Sequence, residues 1–174
     1  QTILDIVSSS NELASDVIHY FFSSRGKMLR PALAFLGASV KAPKENLLDN
    51  ERLMRVAACL EIFHAATLIH DDIIDSAYLR RNLATLNVKG GPELAVLVVN
   101  YLHGRAAETV FHHANEKVLA LFLQTSNRVC DGEIHELREK DNFNLREEEY
   151  LEIVDKKTAA LLSCAVETGG LMVG

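Results

Sequence analysis

The sequence predicts an all-α fold, and three observations carry that prediction. Glycine and proline are scarce, nine and three in 174 residues, so few positions interrupt a helix. Apolar residues recur at intervals of three and four through most of the chain, the spacing of one helix face. Runs that alternate apolar with polar residues, as a half-buried strand would, are hard to find.

The first helix is expected over residues 2–22, where Ile3, Ile6, Val7, Leu13, Val17, Ile18 and Phe21 form an apolar stripe. Ser23-Ser24-Arg25-Gly26 breaks it, and Pro31 then stands where a first helical turn tolerates a missing N–H, in a short helix reaching to about residue 40. A polar connection leads into the longest pattern, residues 51–78, whose stretch 57–69 is nearly all apolar. That helix is expected to be central, because a helix apolar on every side has to be buried. Residues 82–92, with two glycines and a proline, read as a loop. Two further helices follow over 93–113 and 116–140. Asn144 with Glu147 three positions on makes a capping pair for a last helix running towards residue 167, and Gly169-Gly170 reads as its end.

At this length one domain, residues 1–174, can bury a substantial core. With 18 Lys and Arg against 24 Asp and Glu the formal charge is -6, which argues against nucleic acid as a partner. Anionic ligands must therefore be held by local clusters of cations. Cys59, Cys130 and Cys164 are odd in number and unpaired by spacing, which favours a reducing compartment. Charged residues or histidines interrupt every apolar run, so no membrane span is expected. The chain opens on Gln1, which suggests a processed leader.

The chemistry concentrates in His64-Ala-Ala-Thr-Leu-Ile-His70-Asp71-Asp72-Ile73-Ile74-Asp75, three carboxylates at the end of a helix that should be buried. Asp71 and Asp75 are one turn apart, and His64 lies two turns earlier along the same stripe. Stacked carboxylates repel one another, and a divalent cation reverses that penalty. Ligands that are all oxygen favour magnesium (Mg2+), calcium or manganese over zinc, and magnesium is usually shared between one or two carboxylates and phosphate oxygens. Arg80 and Arg81 follow directly, and guanidinium groups pair bidentately with phosphate. Taken alone, the same residues read equally well as a solvated helix end with surface ion pairs worth under about 1 kcal/mol. Gly26-Lys27-Met28-Leu29-Arg30-Pro31 sets two more cations at a helix entrance, where free N–H groups also favour an anion. Lys156-Lys157-Thr158 offers a further ammonium and a hydroxyl. The remaining histidines have no spacing partner for zinc, and the signatures of nucleophilic hydrolases, P-loops and dinucleotide folds are absent from the sequence.

Taken in this order, Gly26-Lys27-x-x-Arg30-Pro31, His64, Asp71-Asp72-x-x-Asp75 and Arg80-Arg81 resemble a trans-prenyl diphosphate synthase of the polyprenyl, long-chain type. The likeness extends through Asn100-Tyr101-Leu102, Gly132-Glu133 and Lys157-Thr158-Ala159. It implies an isoprenoid synthase-type antiparallel helical bundle around a central cavity, with Mg2+ as cofactor. By resemblance, Asp71 and Asp75 bind the metal, and Arg80, Lys157 and Thr158 contact the allylic diphosphate, Asp72 being a weaker candidate. Lys27, Arg30, His64 and Arg81 hold isopentenyl diphosphate. Asp71, Asp75, Arg80 and Lys157 form the catalytic set.

Ala66 and Thr67, one turn before Asp71 on the expected cavity side, are small where short-product members carry aromatics, which implies a long product of the kind used for quinone side chains. Members usually dimerise, so a homodimer or a heteromer with a related subunit is expected, in cytoplasm or mitochondrion. Two local departures stand out, Val99-Asn100 in place of Gly-Asp and Asn82-Leu83-Ala84-Thr85 in place of Gly-x-Pro-Thr. The family's second aspartate-rich segment falls downstream of the Lys-Thr-Ala stretch, so the chain is expected to be the N-terminal part of a synthase, incomplete at its C-terminal end. The rivals are a non-catalytic subunit of a heteromeric synthase, a terpene cyclase and a helical scaffold without diphosphate binding.

Overall fold

The computed structural model describes residues 1–24 and 26–174. The expected first helix is two helices, α1 (Thr2–Ile6) and α2 (Glu12–Ser23). The break falls on Ser8-Ser9-Ser10, whose hydroxyls compete for backbone partners. Ser8 Oγ bonds the Asp5 carbonyl at 3.1 Å, and Asn11 Oδ1 accepts the Ala14 N–H at 3.1 Å to cap α2. Helix α3 (Leu29–Lys41) begins at Met28, which is left-handed at φ 52° and cannot cap through its side chain.

Helix α4 (Glu51–Ile74) starts with Asn50 Oδ1 accepting the Leu53 N–H at 3.0 Å. Val56, Ala57, Cys59, Leu60, Ile62, Phe63, Ala66 and Ile69 bury its circumference against α1, α3, α6 (Pro92–His113) and α9 (Ala160–Val173). By length and hydropathy alone α4 could cross a bilayer, contrary to the expectation that no run would be long and apolar enough. In this fold 67% of that apolar window is buried, as befits the central helix of a bundle. The expected extension to residue 78 fails because Asp75 closes the helix and Ser76 turns left-handed at φ 51°.

Beyond it, the expected loop is structured. Leu79–Arg80 (β1) and Leu83–Ala84 (β2) pair antiparallel around Arg81 and Asn82, at φ 51° and 64°. Two positive φ angles in a two-residue turn match the twist of a hairpin, and Arg81 adopts them without being glycine. Helix α5 (Leu86–Gly90) then leads into α6 and α7 (Glu116–Glu139).

Helix α8 (Glu147–Val154) is capped two residues later than expected. Glu149 reaches back to the Arg146 N–H at 3.0 Å, whereas the Asn144 N–H is taken by Asn142 Oδ1. The chain passes through a π turn over Asp155–Ala159 into α9, which continues through Gly169 and Gly170 rather than ending there. Those glycines are packing positions. A Cβ on Gly169 would stand 1.8 Å from the Ala34 carbonyl oxygen, and one on Gly37 2.0 Å from that of Val166, so α3 and α9 touch backbone to backbone. Gly132 of α7 is similar, since its Cβ would lie 2.8 Å from the Lys157 backbone nitrogen.

Two expectations follow. Gly169→Ala should lower the unfolding free energy by about 2 kcal/mol in denaturant titration. Exposed Gly104, with open space around it, should gain about 0.5 kcal/mol on the same change. The second concerns His103, whose ring stacks on Phe63 at 5.0 Å between centroids and whose pKa is pulled down to about 4 by burial and then by His70. Below pH 6.5 the unfolded chain takes up a proton that the folded chain refuses until about pH 4. His103 should therefore make stability fall with acid across that window, by about 1.4 kcal/mol per pH unit at most, and the His103→Leu variant should show a slope shallower by that share in urea melts from pH 4.5 to 7, His64 supplying a similar share of its own.

Candidate active site

The last turns of α4 divide their polar residues between two cavities. Asp71, Ile74 and Asp75 face one, with Glu133, Glu136, Leu137 and Lys140 of α7 and Lys157 of the π turn on its other walls. Lys157 Nζ sits among three carboxylates, 2.5 Å from Glu136 Oε2, 2.9 Å from Glu133 Oε2 and 3.4 Å from Asp71 Oδ1. Burial alone would pull this ammonium's pKa down, but the bonds to Glu136 and Glu133 and the Asp71 charge outweigh it and hold it above its ordinary value. Glu133 is pushed up to about 7, by burial first and by the neighbouring Asp71, against the hydrogen bond from Lys157. Its Oε1 is buried without a hydrogen-bond partner among the described residues. Lys140 Nζ lies 3.7 Å from Asp75 Oδ1. The close approach that Gly132 allows is what brings Lys157 to α7.

The donor set is all oxygen, which suits a hard divalent cation. Among the described residues no three His, Cys, Asp or Glu side chains are already gathered as a metal shell.

The second cavity is a cleft of about 720 Å³, open mouth included, between α2, Ser24, Gly26, Met28, α4 and the hairpin. Tyr20, Phe21, Phe22 and Leu68 give it apolar walls, and Glu61, His64, Asp72, Arg80 and Arg81 its polar ones. Asp72, only 3% exposed, accepts Arg80 Nε at 2.9 Å with each oxygen. Arg80 is thereby tied to Asp72 and lines the cleft away from Asp71 and Asp75. Arg81, at the hairpin tip, reaches back across the mouth to the Ser24 carbonyl at 3.4 Å. His64 is pulled down to about 4 by burial and then by Arg30, Arg81 and Arg80. Arg30 is itself lowered by burial, which Glu61 opposes. These cations converge on one anion-shaped need.

The expected stripe of His64, Asp71 and Asp75 is real as helix geometry, yet the cavities split it, with His64 opening to the cleft and the two aspartates to the acidic cavity. Lys27, Arg30 and Thr158 are not among the residues lining either cavity. Ala66 is fully buried in the main core, not at a cavity wall, because the inward face of α4 carries it. Thr67 is part-exposed, its hydroxyl bonded to the His64 carbonyl at 2.8 Å. Sequence reasoning missed Glu61, Glu136 and Lys140. Glu61 carries a signal, a lone acid inside an apolar run, and Glu133 with Glu136 share a face at three-residue spacing.

Comparison with known proteins bears on this arrangement. The family model described as polyprenyl synthetase matches residues 11–174. The chain is 31% identical to octaprenyl diphosphate synthase of Escherichia coli (strain K12), over 99% of this chain and 52% of that one. It is 30% identical to geranylgeranyl diphosphate synthase of Saccharolobus solfataricus, over 98% and 52%. The crystal structure of a polyprenyl synthase from Caulobacter crescentus CB15, complexed with calcium and isoprenyl diphosphate, superposes with a TM-score of 0.91 at 31% identity, covering 99% of this chain and 51% of that one. The chain thus spans about half the length of the curated relatives it matches. With an acidic cavity and a cationic cleft on adjacent flanks of one buried helix, it belongs to the polyprenyl synthetase family.

Proposed function

We propose that this chain carries the first half of a prenyltransferase site, one that condenses isopentenyl diphosphate with an allylic diphosphate to make a long all-trans polyprenyl diphosphate. The observation that carries the reading is the division of labour at the end of α4, where carboxylates face one cavity and cations the other. Two anionic substrates need two such places, set side by side.

Asp71 and Asp75 would hold magnesium, with Glu133 at hand as a further oxygen donor. When bound, the metal supplies charge to the leaving diphosphate as the allylic carbon ionises. Lys157, now shared among Glu133, Glu136 and Asp71, becomes available to phosphate oxygens as those carboxylates turn to other cations. Thr158 follows on the same turn and would reach that diphosphate beside Lys157. Across α4, Arg30, Arg81 and neutral His64 would hold isopentenyl diphosphate, with Lys27 approaching from beside Gly26. Arg80 would serve the allylic diphosphate from the far wall, its orientation fixed by Asp72. The apolar walls exclude water from the cation formed. No side chain needs to act as nucleophile, since the isopentenyl double bond attacks and positioning does the rest.

Thr67, small and part-exposed one turn before Asp71, supports the long product. The related names range from geranylgeranyl to octaprenyl, so the product length is this chain's own question. A homodimer, or a heteromer with a related subunit, would complete the working enzyme.

In the whole protein, labelled isopentenyl diphosphate with farnesyl diphosphate and magnesium should give labelled long-chain product. Asp71→Ala and Asp75→Ala should each lower kcat by at least about 100-fold, as loss of a transition-state charge partner does. Diphosphate binding without any product would instead favour a non-catalytic subunit. Thr67→Phe should shorten the product by one or more isoprene units on thin-layer separation, with condensation retained, and an unchanged product would remove Thr67 from the length determinant.

A further inference from the structure

Glu61 is a carboxylate where an anion site should have none. It stands in an otherwise apolar run of α4, is 7% exposed, and lines the cationic cleft. Burial of this kind costs several kcal/mol unless partners hold the charge. Burial indeed raises its pKa, and the influences that oppose this are the Arg30 guanidinium, the Arg81 guanidinium and the backbone N–H of Arg30.

The last of these is informative. Arg30 is the second residue of α3, so its N–H is one of the four that a helix start leaves unpaired. Met28, at the cap position, makes no side-chain hydrogen bond. The uncapped start of α3 therefore offers the Glu61 carboxylate of α4 a favourable N–H. Gly26 marks the same junction. A Cβ there would lie 3.1 Å from Glu61 Oε1, and 3.5 and 3.7 Å from Arg81 Nη1 and Nη2. Carboxylate and guanidinium both close on Gly26. Glu61 Oε2, an acceptor, and Arg30 Nε–H, a donor, are both buried without a hydrogen-bond partner among the described residues.

We infer that Glu61 is a positioning residue for the homoallylic diphosphate, capping α3 and fixing where the Arg30 and Arg81 guanidiniums stand. The inference rests on the reading of the cleft given above. Cationic side chains brought together without a counter-charge would splay towards water, and one buried carboxylate among them sets their directions while leaving their remaining N–H groups to a phosphate.

The test is steady-state kinetics of the whole protein, with each substrate varied in turn, on Glu61→Gln and Gly26→Ala. The first substitution keeps an acceptor for the Arg30 N–H but loses the charge, and the alanine methyl of the second displaces the carboxylate without altering it. The expected result is a rise in KM for isopentenyl diphosphate of about tenfold in Glu61→Gln and about threefold in Gly26→Ala, with KM for the allylic substrate and the melting temperature unchanged. Equal rises for both substrates, or a rise that merely follows a lowered melting temperature, would overturn the inference. So would unchanged KM values. Calorimetry of the unsubstituted protein with isopentenyl diphosphate separates the two levels. Binding there with no effect of either substitution overturns Glu61 alone, and no binding at all overturns the cleft assignment together with it.

Discussion

Everything in this molecule is arranged around the burial of α4. A helix of 24 residues whose sides are nearly all apolar must be wrapped by its neighbours, and the packing of α1, α3, α6 and α9 around it is the consequence. A buried helix has few places to put polar groups, and each must be met by a partner from the wrapping. Glu61 is met by α3, Asp72 by the hairpin and Asp71 by the π turn. The site is thus made of the exceptions to the rule that builds the core.

The two flanks of that helix carry opposite electrostatics. On one side carboxylates outnumber the lysines that visit them, and on the other two acids, Glu61 and Asp72, stand among guanidiniums with an imidazole kept neutral by burial and like charge. Consecutive residues, Asp71 and Asp72, belong to different sides, because neighbours on a helix stand about 100° apart. One takes the ammonium of Lys157, the other the fork of Arg80. Two anions can therefore be held close together without sharing a counter-charge.

How much of this was legible depended on whether the interaction was local. The helices and the central place of α4 follow from periodicity, and the stacking of Asp71 on Asp75 follows from their spacing. Features that depend on distant chain could not be read. The Arg81-Asn82 hairpin has no glycine to announce two positive φ angles. Glu61 looks like a blemish in a core helix until the bare N-terminus of α3 is brought to it. Ala66 and Thr67, adjacent in sequence, part company because only one lies on the inward face. The first helix is divided by three serines whose hydroxyls have little effect on an apolar stripe, and Gly169 passes for a helix terminator until the α3 backbone is seen against it.

The π turn at Asp155–Ala159 holds one residue more than an α-helical turn would, and that surplus acts as a phase shift between two demands on a single continuous helix. Within it the chain presents Lys157 to Gly132 and the carboxylates of α7, and downstream it presents Gly169 and the Val166 backbone to α3. Regular α geometry would rotate one set by about 100° relative to the other, so that either the ammonium or the glycine faced the wrong neighbour. The helix is in effect a cam with two lobes, and its surplus residue sets the angle between the lobe that serves the site and the lobe that closes the core.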